Sequence, residues 1–329
     1  MHEFELINKL THGTPKSGHG FTKGVGDDCA VIEAQGKDML VTTDALFEGV
    51  HFKREWISPR TLGRKALSVN VSDIAAMGGR PLYYLVSVGI PKEFPLKDVE
   101  QAFEGMAQVA ASFRMALIGG DTCASGQGLL LSLTAIGEID KGKAIFRSGA
   151  APGDSVFVTG TVGDSAVGLA CLEKGIRNIE MREFIRKHDD PTPRVATGQW
   201  LAASSCVSSM IDISDGLAAD IGHISEASGV GIRLFADLLP ISKNFRSAAQ
   251  ACNKDPIVLA LTGGEEYELA FTVAKHKLPL FEKMLSVVGP TFGHQVTKIG
   301  EVVEGSGVIV MDVHGTDVPI GTGGFEHKF

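Results

Sequence analysis

Seven aspartates stand where short apolar runs give way to polar turns: Asp27, Asp28, Asp44, Asp73, Asp121, Asp212 and Asp215. Any one of them suits a turn or a helix start, and Asp73 and Asp215 are placed as N-caps. The set asks for more. If the runs are strands whose ends gather at one edge of an open sheet, the carboxylates converge there. Two unit charges 4 Å apart repel by about 4 kcal/mol at an effective dielectric of 20, so such a set stays ionised only with cations. Thr42 and Thr43 beside Asp44 add hydroxyls, and an all-oxygen set of this kind suits a hard ion such as Mg²⁺. Magnesium held by carboxylates points to phosphate chemistry. Glycine pairs precede several of the acids, at Gly119-Gly120 before Asp121 and Gly263-Gly264 before Glu265, where backbone can approach a phosphate.

Familiar nucleotide motifs do not supply that chemistry. Gly137–Ala144 has nearly P-loop spacing, but its last residue is Ala144, with no hydroxyl for a metal. Protein-kinase triplets and a GxGxxG fingerprint are missing. If ATP binds here, it does so through metal-bridged carboxylates and not through a P-loop lysine.

The elements that position these residues read as strands and helices in alternation. Met39–Val41, Leu67–Val71, Met115–Ile118, Met210–Ile213 and Ile257–Leu261 have strand length and turn-forming bounds. Val99–Phe113 carries Ala102, Phe103, Met106 and Val109 at helical spacing, and Asp215–Ser228 does the same up to a stop at Gly229. The class is α/β or α+β. A turn-rich stretch, Arg147–Asp154, predicts a boundary near 150, giving domains of residues 1–150 and 151–329. Asn70–Ala76 echoes Asp212–Ala218, which suggests a repeated strand-to-helix unit.

Composition narrows the class. The 329 residues carry a net charge of −8 without a Lys/Arg block, which excludes a nucleic-acid surface. Five scattered cysteines without CxxC spacing fit a reducing cytoplasm, and no apolar stretch is long enough to span a membrane. Glycine, 40 of 329, is well above the average of about 7%.

Ten ordered motifs, from Gly26-Asp27-Asp28-Cys29-Ala30 and Asn70–Gly78 through Gly119–Thr122 to Gly263–Leu269, resemble those of thiamine-monophosphate kinases over essentially the whole chain. The resemblance implies transfer of the γ-phosphate of ATP to thiamine monophosphate, with several Mg²⁺ ions. It implies the two-domain α/β fold shared with aminoimidazole ribonucleotide synthetase, as a homodimer whose N-terminal sheets pair in a barrel-like interface. The implied metal ligands are Asp28, Thr42, Thr43, Asp44, Asp73, Asp121, Asp212 and Asp215. Gly120, Asp121, Arg147, Ser214 and Phe103 are the implied ATP contacts, and His51, Glu265 and Phe325 line the substrate site. The chain departs from the family pattern at Glu266, where Asp is usual, at Phe103 in place of Tyr, and at the inserted Lys328. A selenophosphate synthetase-like activity is the alternative, against which stands the lack of any Cys before Cys29. A non-catalytic binder of the same ligands is the third reading, and it has no use for so many carboxylates.

Overall fold

Two six-stranded sheets divide the chain in the computed structural model, which describes Thr11, Ser17 and residues 20–318. The first is built from β1 (Phe21–Lys23), β2 (Ala30–Ala34), β3 (Lys37–Phe47), β4 (Arg80–Pro91), β5 (Ala116–Ser125) and β6 (Leu130–Asp140), in the order β1-β2-β3-β6-β4-β5. Only its β4–β5 pair is parallel. The second holds β7 (Ser155–Thr159), β8 (Val207–Asp212), β9 (Gly231–Phe235), β10 (Leu269–Val273), β11 (Val296–Val303) and β12 (Gly307–Met311), in the order β12-β9-β11-β7-β10-β8. Antiparallel ladders dominate here too. Among the described residues no helix is long and apolar enough to cross a membrane.

Helix α1 (Pro59–Ala76) is the hub. Ser58 caps it by accepting the Thr61 N–H, and Pro59 opens it at a position where no N–H is needed. It is buried on nearly every side, with Leu67, Val71, Ile74 and Ala75 at 0% exposure. Truncating Ile74 to Ala would cost about 2–5 kcal/mol. Helix α2 (Leu96–Phe113) crosses it so closely that a Cβ at Gly105 would lie 1.9 Å from the Arg60 carbonyl oxygen. These helices cover one face of the first sheet; Tyr83, Leu117 and Ile118 stay 41–53% exposed.

This architecture corrects three expectations. Leu67–Val71 is helix: it belongs to α1, whose all-round burial hides the helical period. Ile257–Leu261 is likewise helix, in α8 (Pro256–Thr262), where Asp255 accepts the Ile257 and Val258 N–H groups. The echo of Asn70–Ala76 in Asp212–Ala218 is not structural, because one is a helix end and the other a strand end leading into α6 (Leu217–Ser228). The remaining described α-helices are α3 (Asp164–Glu173), α4 (Arg182–Asp189), α5 (Val195–Ser204), α7 (Phe245–Ala251) and α9 (Leu278–Val288).

Candidate active site

Three carboxylates meet at the junction of the two sheets, two of them buried and that of Asp73 half-buried. Asp28 comes from the turn before β2, Asp73 from the last turn of α1 and Asp212 from the end of β8. Each offers an oxygen within 4.8 Å of the others. One oxygen of each is held by the chain. Asp28 Oδ1 accepts from Arg147 Nη2 at 2.7 Å, Asp73 Oδ2 from Thr42 Oγ1 at 2.5 Å and Asp212 Oδ2 from Ser72 Oγ at 2.5 Å. Asp28 Oδ2 is buried with no hydrogen-bond partner. An orphaned carboxylate oxygen among two further carboxylates and a hydroxyl fits a hard divalent cation.

Electrostatics agree with that fit. Burial, reinforced by Asp44, Asp212 and Asp28, pushes the Asp73 carboxyl far above its ordinary range. Burial and Asp28 push Asp212 up to about 8, and burial alone takes Asp44 up to about 6. Asp28 also rises on burial, against the pull of Arg147. Burial raises the proton affinity of all four groups, and a divalent ion would compete for the same oxygens.

The strand-end picture holds only for Asp212. Thr42, Thr43 and Asp44 lie within β3, where side chains alternate between faces. Thr42 is buried on the inner face and Asp44 shares that face, its N–H donating to Asn70 Oδ1 at 3.2 Å. Thr43 is turned away: its hydroxyl is exposed on the outer face and donates to the Leu133 carbonyl at 3.0 Å. Asp73 does not cap a helix start, since it sits in the last turn of α1. Asp215 precedes α6, and the cap there is made from inside the helix: Asp220 Oδ2 accepts the N–H groups of Ser214, Asp215 and Gly216 at 3.1 Å.

Asp121 is not brought to the cluster within the chain. In the first sheet Asp44, Leu133, Val86 and Gly120 form one cross-strand row, and Ala45, Ser132, Ser87 and Asp121 the next. Leu133 and Val86 are buried under the helices and Ser87 is exposed, so Asp121 is on the outer face. It is also three strand spacings from β3, about 14 Å. Gly120 has a packing reason to be glycine, because a Cβ there would lie 2.0 Å from the Val86 carbonyl oxygen. Phe103 is half-buried on α2 against the core and does not line the cavity described next. Phe325 lies outside the described residues.

A cavity of about 850 Å³ opens beside the acids, and its wall includes Asp44, Asp73, Ser214, Asp215, His51 and Glu265. His51 Nδ1 accepts the Phe47 N–H at 3.0 Å, which fixes the ring at the end of β3. Glu265 sits in a strained loop, with φ of 60° at Glu265 and 52° at Tyr267. Its N–H donates to the Ser214 carbonyl at 2.7 Å, and the Tyr267 N–H donates to the Ile213 carbonyl at 2.8 Å. The Glu265 carboxylate bridges Lys65 Nζ at 3.0 Å and His188 Nδ1 at 3.2 Å. Burial would raise its pKa, but Lys65 and His188 outweigh this and hold the carboxyl below its usual range. Glu266 plays a different part from a substrate contact: its buried carboxylate accepts the Ser165 N–H at 2.9 Å and anchors the loop to α3.

Sequence reasoning missed Lys65, His188, Asp220 and His223. Asp220 and His223 are three apart on α6 and join Asp215 in a second acidic group. Their i, i+3 spacing after Asp215 was a usable signal. Lys65 and Glu265 lie 200 residues apart in the chain, and no local pattern connects them.

The sequence matches the family described as AIR synthase related protein, N-terminal domain, over residues 26–139 and its C-terminal domain over residues 151–313. The thiamine-monophosphate kinase of Bacillus subtilis (strain 168) is 39% identical over 311 residues, 92% of each chain. That of Escherichia coli (strain K12) is 35% identical over 334 residues, covering 99% of this chain and 98% of its own. Among solved structures, AaThiL complexed with AMPPCP and TMP aligns with a TM-score of 0.83 at 35% identity, over 99% of this chain and 97% of that one. With the fold, the ordered motifs and these relatives in agreement, the chain belongs to the AIR synthase related family, on its thiamine-monophosphate kinase branch.

Proposed function

We propose that the chain transfers the γ-phosphate of ATP to thiamine monophosphate, giving thiamine diphosphate, in the cytoplasm. One observation carries the reading: Asp44 and Asp73 belong at once to the acidic site and to the wall of the cavity that holds His51 and Glu265. A phosphate acceptor lodged against His51 and Glu265 therefore meets the carboxylates. The AaThiL structure, which holds AMPPCP and TMP, supports the same pair of ligands. Asp28, Thr42, Asp44, Asp73, Asp212 and Asp215 would hold Mg²⁺, with Thr43 contributing only through its backbone. Magnesium, when bound, neutralises phosphates so that one anion can approach another. Arg147 and Ser214 would contact the nucleotide, with Gly120 and Phe103 as further candidates.

Transfer is direct in this reading. The acceptor oxygen is anionic near neutral pH, a phosphomonoester having its second pKa at about 6, so it needs little help from a base. Ser165 Oγ lies 3.1 Å from His188 Nδ1 beside the cavity, but Ser165 is fully buried behind the wall.

The active unit is a homodimer, with the boundary between domains near residue 150. The outer face of the first sheet exposes Tyr83 and carries Asp121, and the β5 edge beside it exposes Leu117 and Ile118. A second copy packed there would cover the apolar patch and bring Asp121 of the partner subunit to the acids.

Incubation of purified chain with ATP, Mg²⁺ and thiamine monophosphate should give thiamine diphosphate, read as its fluorescent oxidation product. Unphosphorylated thiamine should be a poor substrate, and chirally labelled γ-phosphate should arrive inverted. Equal kcat/KM for thiamine and its monophosphate would contradict the substrate, and retention at phosphorus would contradict direct transfer.

A further inference from the structure

The cavity wall carries an aromatic ring that the reading above leaves unused. Trp56 lines the cavity that His51 and Glu265 also line, half-buried, with Lys53 next to it. Its place is well determined. The Trp56 N–H donates to the Lys53 carbonyl at 2.9 Å, closing a turn, and the next residue, Ile57, is buried in the core at 5% exposure. From the C-terminal half, Arg177 Nη2 donates to the Glu55 carbonyl at 3.0 Å and pins the same segment.

The turn sets Lys53 Nζ 4.3 Å from the centroid of the Trp56 ring. One face of a ring that lines the cavity thus already carries a cation from another lining residue, and it is an easily displaced one. Indole has the strongest attraction for cations of the aromatic side chains. A lysine ammonium is compact, strongly hydrated and carried on a flexible stem. A planar, delocalised, permanently charged heterocycle covers the whole ring, loses less hydration and adds stacking area.

We propose that Trp56 is a specificity-determining residue that stacks the positively charged thiazolium ring of the substrate, with Lys53 covering the face until the substrate displaces it. The inference rests on the substrate class proposed above.

The chain has two tryptophans. The other, Trp200, packs against Phe281 and Phe292 with centroids 5.7 and 5.3 Å away and does not line the cavity. Trp200→Phe therefore leaves Trp56 as the single indole reporter. Titration of that variant with thiamine monophosphate should quench its fluorescence, with a midpoint matching KM. Trp56→Leu should raise KM for thiamine monophosphate about 5- to 30-fold, the worth of a partly desolvated cation–π contact. Its kcat should stay within about two-fold, as for a contact made equally in ground and transition states. Trp56→Phe should recover most of the loss. Binding of an uncharged thiazole phosphate should be far less sensitive to Trp56→Leu. If wild type turns over thiamine monophosphate but shows no quenching in the Trp200→Phe background, the role of Trp56 is overturned and the kinase reading stands. An unchanged KM in Trp56→Leu overturns it in the same way. If wild type neither turns over nor binds thiamine monophosphate, both fall. Should Trp56→Leu fail to fold, the fluorescence titration decides alone, since it keeps Trp56 in place.

Discussion

Replacing Lys65 by Met tests how the cavity is held together. Lys65 is 1% exposed and its ammonium lies 3.0 Å from Glu265 Oε1, whose side chain is 24% exposed. Removing one partner of a fully buried ion pair costs about 3–5 kcal/mol, because the other charge is left buried and uncompensated. Glu265 keeps some solvent and its contact with His188 at 3.2 Å, which reduces the expected loss to about 2–3 kcal/mol. At about 2–4 °C per kcal/mol, Tm should fall by about 5–10 °C. The loss should depend on pH. In the wild type the Glu265 carboxyl is held below its ordinary 4.5, so its contribution is present above that pH and disappears as pH falls through the folded-state value. In Lys65→Met burial goes largely unopposed and pushes the carboxyl up, so the group becomes destabilising above the ordinary value and neutral below it. The difference in stability between the two proteins should widen from pH 4 to pH 7.5. Urea denaturation followed by circular dichroism measures it, and adding Glu265→Gln should return much of the loss. A difference under about 1 kcal/mol, the same at both pH values, would refute the view of Lys65 and Glu265 as a coupled buried pair.

The acidic cluster and the dimer make two further predictions. Asp73→Asn should stabilise the metal-free protein by about 1 kcal/mol, because it removes a half-buried carboxyl crowded by three others; it should also abolish both turnover and the Mg²⁺-dependent rise in Tm. Thermal melts with and without Mg²⁺ check this, and a normal Mg²⁺ shift would remove Asp73 from the metal set. Asp121→Asn and Asp73→Asn chains, each inactive alone, should regain about a quarter of wild-type activity when unfolded together and refolded as random dimers, since each hybrid has one intact site. No recovery would mean that Asp121 does not act across subunits.

The local chemistry of the chain was enough to determine many of its elements. The strands at Met39–Val41 and Met210–Ile213 are where short apolar runs place them, the second ending one residue early at Asp212, and α2 and α6 follow their helical spacing to the stop at Gly229, whose φ is 68°. Side-chain period and turn residues act within a few positions, so they survive without knowledge of the rest. They failed where burial erased the period, in α1, and where Asp255-Pro256 was the better signal than the apolar run behind it. The residue types also carry the proposal of a hard-metal phosphate site. Only the tertiary structure decided which carboxylates meet. Asp28, Asp73 and Asp212 converge from a turn, a helix end and a strand end that are far apart in sequence. The register of β4 with β5 turns Asp121 outward while Gly120 faces in. A strand alternates faces at every residue, so a position next to the site in sequence can point away from it, and only packing against the helices says which face is inside.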